Sequence, residues 1–165
     1  MISFELKGAA ELAEAMALMQ GRALEAVGAA MYQEAEGIMT DSKRLVPVDM
    51  GTLRNSGFVN PPDVKASEIE VTLGYGGAGS EYAIYQHEGI GPAVGRPAFM
   101  PPVAPFAEWA RRVLGDESLG FVIARSVGRK GLRPRKFLEI PFKARASGMV
   151  PRLARRVRGM VERAG

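Results

Sequence analysis

One histidine stands in the chain, His87, and an acid follows it at Glu88. Imidazole is the usual acid-base group near neutral pH, and a zinc hydrolase would place such a pair in H-E-x-x-H spacing on one helix face. The second histidine is missing, because Gly89, Ile90 and Gly91 come next. A nucleophilic triad needs an activated serine or cysteine in a recognisable setting, and the sequence supplies neither. His87 therefore reads as a structural histidine. Residues 74 to 79 spell G-x-G-x-x-G, which cradles a pyrophosphate when a strand leads in and a long helix leads out. Here Ser80, Glu81 and a tyrosine-rich run follow, read as a strand or turn, and no acid stands at the ~20-residue offset used for ribose. The glycines read instead as a loop in which positive φ is needed. The remaining carboxylates lack calcium-loop spacing, and there is no cysteine for a thiolate site or disulfide. No cofactor and no metal are expected, and the chain reads as something other than an enzyme.

Charge is the chemistry that is left. The net charge of +4 hides a gradient: residues 1 to 41 carry seven acids against two bases, and residues 125 to 165 carry thirteen bases against Glu139 and Glu162. Such a split suits head-to-tail contact between copies, or a basic surface toward nucleic acid. Near the C-terminus Met149, Val150, Leu153, Val157, Met160, Val161 and Ala164 line one side of an expected helix, with Arg152, Arg155, Arg156, Arg158 and Arg163 on the other. With Arg145 just upstream, Arg152, Arg155, Arg156 and Arg158 are the expected basic surface for assembly or for DNA. Interleaved aromatics, which single-strand binders use for stacking, are missing there.

These residues need elements to hold them. With 165 residues, 47% hydrophobic and 24% charged, the chain is expected to fold around one core as a single domain, 1–165. It opens without a basic-then-apolar leader, and no stretch reaches the ~18 apolar residues of a membrane span, so synthesis in the cytosol and no membrane contact are expected. Ile2, Phe4 and Leu6 alternate with polar residues as in a short strand, and residues 9–19 are strong helix formers. Leu24, Val27, Met31, Ala35, Ile38, Ser42 and Leu45 recur at steps of three or four, predicting a long amphipathic helix stopped by Pro47. Gly28 and Gly37 inside it demand either close packing against their backbone or a break. Strands are predicted over 53–60 and 68–75, with Ile69, Val71, Leu73 and Tyr75 on one face, and 82–87 as a third strand or turn. A Gly/Pro loop over 89–102 precedes helices at 103–114 and 117–129, the second capped by Asp116 or Ser118. Phe137, Leu138, Ile140 and Phe142 read as a short buried strand or turn before the last helix.

Three stretches resemble a known family. Ser42 to Ser56 reads SKRLVPVDMGTLRNS, in which Pro47 ends the helix, Asp49 suits a turn, Gly51 can take positive φ and Leu53 re-enters the core. This string resembles the A-K-x-x-x-P-V-D-T-G-x-L-R-x-S element of the tail-completion or head-tail joining proteins of lambda-type tailed phages, minor components of the phage neck. Tyr82 to Gly89 is similar to that family's Y-A-x-Y-x-E-x-G-T strand, and Gly131 to Leu138 to its closing G-T-x-x-x-P-F-L. Met50 and Ile90 stand where threonine is common, and 91–130 is a longer helical insertion than the shortest members carry. The resemblance implies an α+β fold, with a long N-terminal helix packed on a small curved antiparallel β-sheet, a helical insertion and a C-terminal helix. It further implies a virion protein forming a ring, commonly of six subunits, around the DNA channel. The partners so implied are copies of itself, a head connector, adaptor or stopper protein, a tail terminator or tail-tube protein, and packaged DNA by non-specific contact. Pro47, Asp49, Gly51, Leu53, Arg54 and Ser56 would shape the helix-to-sheet bend, with Tyr82, Tyr85 and Glu88 on the strand beside it and Pro134 and Phe137 in the closing element. A tail terminator ring capping the tail tube, and a small basic DNA-binding protein, are the other readings left open.

Overall fold

The structure is a computed structural model that describes residues 2–6, 22–65, 68–77 and 80–164. The predicted first helix at 9–19 lies outside them. In chain order come strand β1 (Ile2–Leu6), helix α1 (Arg22–Leu45), a helical turn α2 (Thr52–Asn55), and strands β2 (Gly57–Val59), β3 (Asp63–Lys65) and β4 (Glu68–Tyr75). Helix α3 (Ser80–Glu88), a 3-10 turn (Gly91–Val94), α4 (Ala104–Leu114), α5 (Leu119–Lys130), α6 (Glu139–Ala146) and α7 (Met149–Ala164) follow. The fold is α+β, with the long helix α1 laid across a small antiparallel sheet and a helix at the C-terminal end.

The chain forms two compact units, Met1–Ala83 with Phe137–Gly165, and Ile84–Lys136. It enters the second inside α3 and leaves it between Lys136 and Phe137, so no Gly/Ser linker marks the change. The main core belongs to the first unit. Val27, Met31, Ala35, Ile38 and Ser42 are buried along α1, as their spacing predicts, while Leu45 at the end of the stripe is exposed. Facing them on β4 are Ile69, Val71, Leu73 and Tyr75, all buried. Ile69, Val71 and Leu73 each contribute roughly 1.5–3 kcal/mol by leaving water. β4 is the centre of the sheet, with Ile2 opposite Tyr75 in β1, Gly57 opposite Tyr75 in β2 and Asp63 opposite Glu70 in β3, every pairing antiparallel. Helix α1 runs unbroken through both its glycines. A side chain at Gly28 would press on Pro62 at 3.2 Å, and one at Gly37 would meet the Arg145 guanidinium at 2.6 Å.

Three predicted strand segments are wholly or partly helical. Residues 52–55 form a helical turn because Gly51, at φ 82°, redirects the chain and its carbonyl accepts a hydrogen bond from the Asn55 N–H at 2.8 Å. The strand begins only at Gly57. Residues 80–88 are helix α3, in which Ala83, Gln86 and His87 are buried and Ile84, Tyr85 and Glu88 exposed, a period of 3.6 rather than 2. Aromatic and β-branched content imitated a strand there. From Glu139 onward a helix again wins, with Phe137 and Leu138 in the turn before it. Pro141 sits in the first turn of α6, where a missing N–H costs nothing, and Ile140 points to solvent.

The second unit contains the stretch 91–130. Its helices α4 and α5 pack as a hairpin in which small residues allow close approach: Ala110, Gly120, Ala124 and Gly128 are buried. A side chain on Gly120 would run into the Ala107 backbone, and one on Gly128 into the Phe99 carbonyl oxygen. Ahead of α5, the Asp116 carboxylate accepts hydrogen bonds from the Ser118 hydroxyl at 2.7 Å and the Ser118 N–H at 2.9 Å, which hold its carboxyl below the usual range.

Candidate functional site

The residues that resemble a family motif gather at the bend between α1 and the sheet. The helix ends at Leu45, and the Val46 N–H still bonds to the Ser42 carbonyl at 3.1 Å before Pro47 removes the next donor. After Gly51 has turned the chain, Leu53 drops into the core, and the Ser56 hydroxyl donates to the Leu53 carbonyl at 2.8 Å. Gly57 brings β2 tightly against α1: a side chain there would meet Met39 Sδ and Lys43 Cε at 2.7 Å. Asp49 and Arg54 sit on the outside, exposed. So do Leu45 (43%), Val48 (59%) and Met50 (69%), three large apolar side chains within six residues.

The second and third motif stretches divide between the units. Tyr85 and Glu88 are exposed on α3, and the side chain of Tyr82 lies outside the described residues. His87 is buried, with Nδ1 at 2.7 Å from Glu88 Oε1, while Lys136 Nζ donates to Glu88 Oε2 at 2.5 Å. The Lys136 ammonium, and after it His87, holds the Glu88 carboxyl below its ordinary range despite partial desolvation. Pro134 lies exposed in the loop that closes over Gly89, whose φ of 76° and closeness to the Leu132 carbonyl leave no room for a side chain. Phe137 is buried in the first unit, edge-on to Tyr75 with ring centroids 5.1 Å apart. The Tyr75 hydroxyl bonds Ser42 Oγ at 2.8 Å, and burial pushes the phenol pKa above its ordinary value against that bond's opposing effect.

The five arginines expected to form one basic surface do not stand together. Glu34, on α1 and 1% exposed, accepts from Arg152 Nε at 3.0 Å and Nη2 at 2.6 Å, both on Oε1. Arg156 Nη2 lies 3.5 Å from Glu34 Oε2, and Arg156 Nη1 donates to Gln33 at 3.0 Å. Arg145 bonds Asp41 Oδ2 through Nε at 2.8 Å and Nη2 at 2.7 Å, and its Nη1 is 3.8 Å from Glu34. Arg152 also donates to the backbone carbonyls of Ser147 and Arg145. Thus Arg145, Arg152 and Arg156 turn inward on the flank of the buried stripe, while Arg155 and Arg158 are exposed. Glu34 and Asp41 of the acid-rich stretch are thus paired with Arg145, Arg152 and Arg156 of the base-rich one. Sequence reading missed Glu34 as the hub, although its position, three after Met31 and four before Ile38, is in register with the apolar stripe.

The glycine loop after β4 is followed by a helix and not by the strand or turn expected there. A strand does lead in and a helix, α3, does lead out. That helix has nine residues, and β4 pairs antiparallel with all its neighbours, whereas a pyrophosphate cradle is built on a parallel crossover. Among the described residues no three His, Asp or Glu side chains are grouped as a metal site, and no helix is long and apolar enough to cross a membrane. Compared with known proteins, the chain matches no family model, no curated protein and no solved structure.

Proposed function

We propose that this chain is a structural subunit of a tailed-phage neck, an interaction protein rather than an enzyme, which forms a ring with its own copies around the DNA channel. On this reading the ring, of about six subunits, joins the head connector, adaptor or stopper to the tail terminator or tail tube, and the chain resides in the virion. The observation that carries the reading is the bend. Residues 42–56, whose string resembles the head-tail joining family, form a braced turn that leaves Leu45, Val48 and Met50 in water. Grouped exposed apolar side chains mark a place where a partner covers them. In a closed ring one such patch meets a different patch on the next copy. Because Arg145, Arg152 and Arg156 are already paired with Glu34 and Asp41, apolar contact rather than end-to-end charge is the basis for that meeting.

Mass photometry and negative-stain microscopy of the purified chain over rising concentration test this directly, together with head-tail joining in extracts lacking its gene. Rings, with joining restored by added protein, are expected. A monomer at every concentration, in extracts that join without it, would sink the reading. Rings found only on the ends of finished tail tubes would make it the tail terminator instead.

A further inference from the structure

The positive charge of the molecule is concentrated in one unit. Ile84–Lys136 holds nine bases against four acids, whereas Met1–Ala83 with Phe137–Gly165 holds thirteen bases against fourteen acids. The whole excess of +4 therefore comes from the smaller unit. Within it, no acid stands between Glu117 and Glu139, and six bases do. Lys136 is occupied by Glu88. The other five, Arg125, Arg129, Lys130, Arg133 and Arg135, are exposed.

We infer that these five side chains form a contact surface for the phosphate backbone of duplex DNA. The segment is held in place by its own backbone. Leu132 and Ile90 exchange hydrogen bonds at 2.9 and 3.0 Å, the Arg135 N–H donates to the Gln86 carbonyl at 3.0 Å, and the Lys136 N–H to the His87 carbonyl at 3.1 Å. Arg125 and Arg129, four apart on α5, share a face, Gly131 at φ 74° turns the chain, and Pro134 stiffens the spacing of Arg133 and Arg135. An ordered array of bases loses little freedom on meeting a regular array of phosphates, and each phosphate it neutralises releases counterions. The residues between the bases are small or half-buried, and the exposed ring of Phe121 precedes Arg125 rather than alternating with the bases as stacking platforms do, so duplex rather than single-stranded DNA fits. An anionic membrane fits less well. An interfacial helix has apolar and basic faces along the same length, but the exposed Leu119, Phe121 and Val122 lie at the start of α5 and the bases toward its end. This inference stands on charge and exposure in one unit and does not depend on the neck reading.

The test is fluorescence anisotropy of a random-sequence 30-base-pair duplex with the full-length chain over a salt series. Five phosphate contacts predict that log K falls with log salt at a slope of about −4.5. The triple variant Arg129→Gln/Arg133→Gln/Arg135→Gln is expected to lose about tenfold in affinity or more at low salt, and to flatten the slope by about 2.7. Arg155→Gln/Arg158→Gln, on the other basic helix, is expected to stay within about twofold of the parent. Circular dichroism confirms that both variants fold, and single substitutions replace the triple one if it does not. The inference is overturned by no DNA binding at low salt, by equal losses in the two variants, or by vesicles of anionic lipid competing as strongly as DNA.

Discussion

The Tyr75 hydroxyl lies in the core against Ser42, and neither group has water to fall back on. Replacing Tyr75 with Phe leaves the serine hydroxyl buried without this bond, a loss of about 1–3 kcal/mol. Adding Ser42→Ala should recover part of that loss, and urea unfolding of the single and double variants measures the coupling. Gly51 is a different kind of constraint, since its φ of 82° is a backbone state that a Cβ resists. Gly51→Ala is expected to cost about 1–2 kcal/mol, seen as a lower urea midpoint with unchanged slope. Glu88 supplies a pH signature. Its carboxyl is held below the ordinary range by Lys136 and then His87, so the folded state favours the ionised form. The stability it contributes is fully present above the unfolded carboxylate value and is lost as pH falls through the lowered folded value. In Glu88→Gln the decline of the urea midpoint below about pH 4.5 should be shallower than in the parent. Because the Glu88 side chain is half exposed, the difference at neutral pH will be small.

Elements are joined by devices that no local pattern spells out. The buried Glu34 carboxylate ties α7 to α1 through Arg152 and Arg156, and Arg145 does the same for α6 through Asp41. A carboxylate taken out of water is tolerated only while cations surround it. Arg152→Ala removes both hydrogen bonds to Oε1 and is expected to cost about 3 kcal/mol, whereas Arg155→Ala on the open side of the same helix should stay within about 0.5 kcal/mol. Thermal unfolding of the pair separates a staple from a solvated face. In the other unit, α4 and α5 touch through glycine, and Gly120→Ala forces a methyl group into the Ala107 backbone. About 1–3 kcal/mol is the expected penalty for such overpacking, although alanine is the better helix former. Faster amide exchange confined to residues 104–130 would localise the damage to the hairpin.

For the whole molecule, the proposed assembly rests on apolar surface left at the bend, so Val48→Asp/Met50→Glu should abolish ring formation in mass photometry while leaving the melting temperature within a few degrees. Much of the first unit was legible because burial follows period. The steps of three and four along α1 and of two along β4 each name a face, and Val27, Ile38, Ile69, Val71 and Leu73 are indeed inside. Pro47 and Gly51 announced the bend, since a lost donor and a positive φ are properties of single residues. Short segments were less legible. Residues 52–55, 80–88 and 137–142 carry apolar runs too brief for a period to declare itself, and tertiary packing resolved them toward helix. Sequence alone therefore determined the long amphipathic rod, the bend that ends it and the strand over 68–75, because those depend on spacing along the chain; that this strand is the centre of the sheet is tertiary. Only the tertiary structure decided which charges survive at the surface. Glu34 and Arg152 are 118 residues apart, and an ion pair depends on distance in space, so Glu34 and Asp41 from the acidic stretch and Arg145, Arg152 and Arg156 from the basic one became an internal staple, while Arg155 and Arg158 stayed at the surface.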